Sequence, residues 1–359
     1  MIKLLTYYEI DPQQWSELVQ SSPTATWFQT PEAYEFYAVN PEEMTPFALG
    51  VEEDGHLAGV IVGYTTQEKC IFKQYFTART IIPGGPLLAN CISETALAEL
   101  LNAVSQFKVE SVKCKGNENN VAETTASSPH RLIKPIYIES RNFHDYSKWR
   151  NIFEQCGFAY QPHLNFHVDT TSPEIVDQNL GKSRKRDIRT TIRDGVTPVY
   201  QPTIEQVRAY YDILLDLYKT KVKTPLFKWE WFEQLYKVNS ARFILTELEG
   251  KIVGGTVCMV LPGKALYEWF ACGIDGVYPH IYPSTYATYL GIKYAAENGC
   301  KIFDMMGAGK PDEAYGVRDF KMEFGGELVE HGRYLCVRKP MLYWIGKMGV
   351  KWLKNRTNK

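Results

Sequence analysis

Apolar positions along the chain switch period several times. Residues 12–20 and 30–39 carry helical spacing, and Thr30-Pro31 supplies an N-cap followed by proline at the first helical position. "FALGVEEDGHLAGVIVGYT" alternates through two strands joined at Asp54-Gly55, a pair suited to a tight hairpin turn. "IPGGPLL" interrupts the pattern, residues 93–106 return to helical spacing, and "KVESVKC" is a short strand. Residues 115–130 are polar and turn-rich, which predicts a loop. "YSKWRNIFEQCGFAY" reads as a helix ending at Gly157, and "HLNFHV" as a strand with His163, Asn165 and His167 on one face. That alternation makes His163 and His167 two exposed strand histidines rather than metal ligands on a helix.

Farther on, helices are expected over 173–194, 203–219 and 228–238. "ARFILTELEGKIVGGTVCMVLPGKALYEWFACG" predicts three strands, turning at Glu249-Gly250 and Pro262-Gly263. The loop "IDGVYPHIYP" leads to a helix over 284–298 capped by Gly299. "KIFDMMG" is a buried strand, "YGVRDFKMEFGG" a short helix, and "LVEHGRYLCV" one closing strand. The two halves thus repeat one plan: helices, an antiparallel strand set, a loop, a helix, a strand, a helix and a strand. Their last helices end alike, "FEQCGF" at 153–158 and "KMEFGG" at 321–326, where glycine lets the chain leave in a left-handed conformation. The expected fold class is α/β (α+β), with two domains, each a mixed, largely antiparallel sheet flanked by helices. Expected boundaries are 1–168 and 169–339, with 340–359 completing the first domain.

A length of 359 residues suits two such domains. The formal net charge is −1, so any anion-binding surface has to be local. The opening "MIKLLTYYEIDPQQW" lacks a signal-peptide pattern, and no run of eighteen apolar residues predicts a membrane span. Eight scattered cysteines without a Cys-x-x-Cys pair point to reduced thiols in the cytoplasm, and no metal or redox cofactor is expected.

Chemistry concentrates in the second half. Lys182, Arg186, Arg189 and Arg193 form a basic stripe at helical spacing, with Ile188 and Ile192 facing inward. The stripe either holds phosphates of tRNA or of a diphosphate acceptor, or is a solvated charged face. Asp304, at a strand end beside Gly307 and Gly309, either orients or deprotonates an attacking amine or caps a turn. Tyr278, Tyr282 and Tyr286 either line a substrate groove or belong to the core. Lys321 lies between Phe320 and Phe324, whose rings share one helix face. It is either an ammonium facing a cleft in front of the strands or an ordinary surface lysine. "GAGKPD" lacks the P-loop spacing, and no Gly-x-Ser-x-Gly elbow exists. In "MLYWIGKMGVKWLKNRTNK" an apolar stripe of Trp344, Ile345, Met348 and Trp352 is bordered by Lys347, Lys351 and Lys354. This segment, 340–359, either makes a peripheral contact with an anionic membrane or packs on the protein.

The repeated plan and its helix endings resemble the GNAT acyltransferase fold used twice. In that family the last helix carries an aromatic-Tyr-x-x-x-Gly-Phe ending. Phe153 and Lys321 take the Tyr position, which implies a catalytically silent first half. The family's CoA loop, Arg/Gln-x-x-Gly-x-Gly/Ala, is missing from "GIDGVYPHIYPSTY" and from "IIPGGPLLANCISE". A double GNAT-like chain without that loop resembles the Fem aminoacyltransferases, through "KSRKRDIRTTIRDGV", "IFDMMG" and "DFKMEFGG". The resemblance implies a cytoplasmic enzyme, working at or near the inner face of the membrane. It would move an amino acid from aminoacyl-tRNA to an amine of a UDP- or lipid-linked peptidoglycan precursor. Phe320 and Lys321 would support the transition state. Ala33 and Tyr37 stand where several Fem enzymes carry a Trp and an acceptor-contacting Lys. Two other readings stay open: N-acylation of a nucleotide- or lipid-linked sugar from an acyl thioester, and a non-catalytic binding module.

Overall fold

Three helix starts of the first unit are capped as their sequences require. The side chains of Asp11, Thr30 and Ser93 each accept backbone N–H bonds in the first turn that follows. The computed structural model describes residues 1–39, 44–66, 75–110 and 132–357. The loop expected at 115–130 and the end of the strand "KVESVKC" fall outside the described residues. Two compact units result, Met1–Gln161 with Gly332–Lys359, and Pro162–His331.

The first unit opens with β1 (Ile2–Thr6), α1 (Pro12–Ser21) and α2 (Pro31–Ala38). The hairpin β2 (Thr45–Glu53) and β3 (His56–Thr66) follows, turning through Asp54 and Gly55, both at positive φ. Next come β4 (Arg79–Gly84), β5 (Leu87–Leu88), α3 (Glu94–Ser105), β6 (Val109–Glu110), β7 (Leu132–Ile133) and β8 (Tyr137–Asn142). The stretch closes with α4 (Arg150–Gln155) and β9 (Ala159–Gln161). Leu97, Leu100 and Leu101 of α3 pack with Ile61, Ile138 and Phe153 in one core.

The second unit begins with β10 (Leu164–Asp169), α5 (Pro173–Asn179) and α6 (Lys182–Arg193). The single helix expected over 173–194 is therefore two. Leu180 is extended, and the Gly181 N–H leaves the helix to donate to the Glu323 carbonyl at 3.0 Å. There follow β11 (Thr197–Val199), α7 (Ile204–Leu217), α8 (Trp229–Tyr236), β12 (Ala241–Leu248), β13 (Lys251–Leu261) and β14 (Ala265–Gly273). Then come α9 (Pro283–Glu297), β15 (Ile302–Gly307), α10 (Gly316–Met322) and β16 (Glu327–Glu330). Leu290 and Ile292 of α9 share a core with Phe303, Leu266 and Cys258.

The chain then returns to the first unit with β17 (Arg333–Val337) and α11 (Pro340–Thr357). "LVEHGRYLCV", expected as one strand, is two strands in different sheets, with Gly332 between them at φ 66°. The first sheet runs β1-β2-β3-β4-β8-β17-β9, with β5 on β3; the second runs β11-β12-β13-β14-β15-β10-β16. Both are antiparallel except at one internal parallel pair, β4 with β8 and β14 with β15. In each sheet the penultimate strand comes from the end of the other repeat. β10 follows the first repeat yet pairs with β15 and β16, and β17 follows the second yet pairs with β8 and β9. This backbone pairing moves the division to 161/162 and 331/332, in place of the expected 168/169 and 339/340.

Candidate active site

The two parallel pairs differ at their C-terminal ends. In the first sheet, β4 and β8 stay in register through five residues, from Thr80 with Ile138 to Gly84 with Asn142. In the second, β14 and β15 pair only from Ala265 with Ile302 to Tyr267 with Asp304, although β14 continues to Gly273 and β15 to Gly307. Trp269 is the extra residue of a bulge against β13, between Glu268 and Phe270, and a bulge of this kind turns its strand. The strands therefore part just after Tyr267 and Asp304, leaving unpaired backbone that needs other partners.

Lys321 supplies them. From α10 its ammonium donates to the carbonyl of Met305 and, at 2.9 Å, to that of Gly307, both on the diverging end of β15. The side chain is not a surface lysine: the residue is 8% exposed. Phe324 is buried, Phe320 is half-buried, and their rings meet edge to face at 5.2 Å. Burial lowers the Lys321 pKa, and Glu268 and Asp304 partly counter that shift. Glu268, beside the point of divergence, is also buried. It accepts hydrogen bonds from the hydroxyls of Thr288 at 2.9 Å and Thr256 at 3.2 Å. Burial raises its pKa, against the pull of Lys321 and the two threonines.

Asp304 is 1% exposed. Its Oδ1 accepts the Met306 N–H at 2.6 Å, and its Oδ2 lies 3.3 Å from Nε2 of His167 on β10. Burial would raise the carboxyl, but His167, the Met306 N–H and Lys321 together hold it below the ordinary value. His167 shifts the other way: burial lowers its pKa, yet Asp304 leaves it net raised. Met306 has φ 59°, a left-handed conformation rare without glycine, and the Asp304 carboxylate braces it. The expectation of two exposed histidines is thus corrected. The His167 side chain is 13% exposed, and a register shift between Asn165 and His167 buries Asn165 instead of leaving it on their shared face. No sequence signal marks the pair, because β10 meets β15 only through pairing across more than a hundred residues.

The basic run on α6 separates into two groups. Lys182, Arg186, Arg189 and Arg193 are exposed, with Arg186 bonded to Asp187 and Arg193 to Asp194. Ile192, expected inward, is 49% exposed; the inward positions are Asp187, Ile188 and Thr191. Thr191 Oγ1 accepts the Tyr282 N–H at 3.0 Å, which ties α6 to the start of α9. Arg184 turns to α10: its guanidinium lies 4.8 Å from the Phe320 ring centre and donates to Thr285 Oγ1 at 3.1 Å. Arg184 lies off the stripe of Lys182, Arg186, Arg189 and Arg193, and helical spacing gives no sign of its contact with α10. The three tyrosines do not form one wall. Tyr286 is buried in the core, Tyr278 packs half-buried against it, and Tyr282 stands, half-buried, at the N-cap position of α9 without a side-chain cap bond. In the first unit Ala33 and Tyr37 are both fully buried. Among the described residues no group of three or more His, Cys, Asp or Glu is placed to hold a metal ion.

Residues 182–322 match the family model described as the acetyltransferase (GNAT) domain. No curated protein matches the chain significantly. Among solved structures, FemX superposes with a TM-score of 0.68 at 14% identity, covering 96% of this chain and 99% of FemX. The C-terminal domain of a putative lysylphosphatidylglycerol synthetase from Agrobacterium fabrum gives 0.58 at 12% identity, covering 94% of this chain and 96% of that one. A tandem GNAT protein from the clavulanic acid biosynthesis pathway gives 0.51 at 9%, covering 93% and 98%. In architecture the chain is similar to tandem GNAT proteins, and the stretch that matches the GNAT domain model lies in its second half. Its particular fold is of the Fem type, shared with FemX over nearly the whole of both chains.

Proposed function

We propose that the second unit is an aminoacyltransferase site, moving an amino acid from aminoacyl-tRNA to an amine of a UDP- or lipid-linked peptidoglycan precursor. The carrying observation is Lys321. Two of its three N–H groups are taken by the Met305 and Gly307 carbonyls, and the third has no acceptor among the described residues. The acceptor amine attacks the ester carbonyl, a C–N bond forms, and negative charge develops on the carbonyl oxygen. Lys321 offers its remaining N–H to that oxygen from a water-poor site, where fixed donors are most effective. The C–O bond to the tRNA ribose then breaks, and the proton lost by the amine ends on the departing oxygen.

Other residues take supporting roles in this reading. Phe320 shields the ammonium, and Arg184 positions the Phe320 ring. Asp304 is engaged by Met306 and His167, so it acts by fixing the strand end rather than by deprotonating the amine. The exposed Lys182, Arg186, Arg189 and Arg193 bind phosphates of the donor or acceptor. In the first unit Phe153 stacks on Tyr334 at 3.9 Å, and the parallel strands stay paired, which suits a silent domain. The reaction draws on charged tRNA and so belongs in the cytoplasm.

A second reading has one observation in its favour, the match of 182–322 to an acetyltransferase domain. It replaces aminoacyl-tRNA by an acyl thioester and the precursor amine by an amino sugar linked to a nucleotide or lipid. Label transfer from pooled charged tRNAs and from acyl-CoA, onto UDP- and lipid-linked acceptors, separates the two. Transfer from charged tRNA supports the first reading; transfer from acyl-CoA alone replaces it with the second. If neither donor transfers label, a binding module remains.

A further inference from the structure

We infer that the exposed face of α11 is a docking surface for an anionic lipid bilayer. The sequence left two outcomes for this segment, and the structure separates them. Met341 and Trp344 are 76% and 63% exposed, and Ile345 and Met348 are each more than half exposed. These positions are spaced as one helical stripe. The other side of the helix is anchored: Tyr343 meets Tyr137 edge to face at 5.7 Å.

Two further exposed aromatic rings lie near the root of this helix. Lys339, at its root, donates to the Tyr75 carbonyl at 2.7 Å and holds its ammonium 3.5 Å from the Tyr75 ring centre. That contact ties Tyr75, 46% exposed and next to the 58%-exposed Phe76, to Lys339 at the root of the helix. Exposed apolar side chains gathered on one helix face mark an interaction site.

Charge selects the partner. Residues 338–359 contain seven Lys or Arg and no Asp or Glu, in a chain whose formal net charge is −1. A large apolar stripe with cations beside it suits the headgroup boundary of an anionic bilayer, where the apolar side chains insert and the cations meet lipid phosphates. A nucleic acid would satisfy the cations but leave Trp344, Ile345 and Met348 in water. No described helix is long and apolar enough to cross a membrane, so the contact is peripheral.

The test is co-sedimentation of the full chain with vesicles of phosphatidylcholine, alone or with about 30 mol % phosphatidylglycerol. We expect binding to the mixed vesicles, little to phosphatidylcholine alone, and weakening as salt rises. The double variant Trp344→Glu, Ile345→Glu should lose at least about tenfold in partitioning while keeping its melting curve, because both side chains are exposed. Absence of binding to the anionic vesicles overturns the inference. So does undiminished binding by the double variant, which would reduce the contact to charge alone. Self-association abolished by the same variant, without vesicle binding, would assign the face to a second copy. The measurement uses no acyl donor or acceptor, so its outcome is independent of the proposed transfer.

Discussion

His167 and Asp304 pair inside a sheet, and each shifts the other's titration. His167 has a raised folded pKa, so its contribution to stability is complete below its ordinary value of 6.5 and is lost as pH rises through the raised value. Asp304 has a lowered folded pKa, so its contribution is present above 3.8 and is lost as pH falls through the lowered value. The pair stabilises most between those limits. Thermal melts of wild type and His167→Gln should therefore differ most between the ordinary values of 3.8 and 6.5 and converge as pH rises through the raised His167 value. A difference that does not change with pH would contradict the pairing. Lys321 makes a second prediction. Its lowered pKa places loss of the ammonium below the ordinary lysine value of 10.5. The alkaline limb of the transfer rate should fall there and move upward in Lys321→Arg, which keeps its charge. A limb that stays put in that variant would remove Lys321 as its source. Lys321 and Asp304 were legible as chemistry from "DFKMEFGG" and "IFDMMG". Glu268 and His167 were not, since Glu268 sits in an apolar strand and His167 acquires its partner only by long-range pairing.

At the scale of elements, hairpins and capped helices could be read from turn and cap residues, which act locally. Breaks imposed by tertiary contact could not. Gly181 ends a helical pattern because its N–H is drawn to the Glu323 carbonyl, in the turn after α10. The same turn holds Gly325 and Gly326 against neighbouring backbone. A Cβ on Gly325 would lie 2.0 Å from the Asn179 carbonyl oxygen, and one on Gly326 would lie 2.2 Å from that of His167. Both distances are impossible, so the "KMEFGG" glycines record close packing as well as a left-handed exit. Gly326→Ala should destabilise the second unit by about 2–3 kcal/mol in urea unfolding. An unchanged midpoint would show that β16 can shift freely.

At the scale of the molecule, the duplication was visible as a repeated order of elements, but the exchange of strands was not. Pairing of β17 with β8 and β9 joins residues more than one hundred and seventy positions apart, and periodicity carries no information about partners. A chain ending at His331 lacks β17, so β8 and β9 lose their shared neighbour. Hydrogen exchange on that truncation should show lost protection in the first unit, with β12 to β15 of the second unit still protected. Protection retained in β8 and β9 would mean that β17 is dispensable.

The central claim is that a lysine buried where two strands part carries the transfer. It is tested most directly by the rate of label transfer from charged tRNA to muropeptide acceptors in wild type and Lys321→Met, with melting curves recorded for both. The expected result is a fall of about 10²–10³-fold in the variant, the size typical of losing one oxyanion donor, with the fold retained. A folded variant that transfers within about threefold of wild type, far short of that loss, would contradict the assignment.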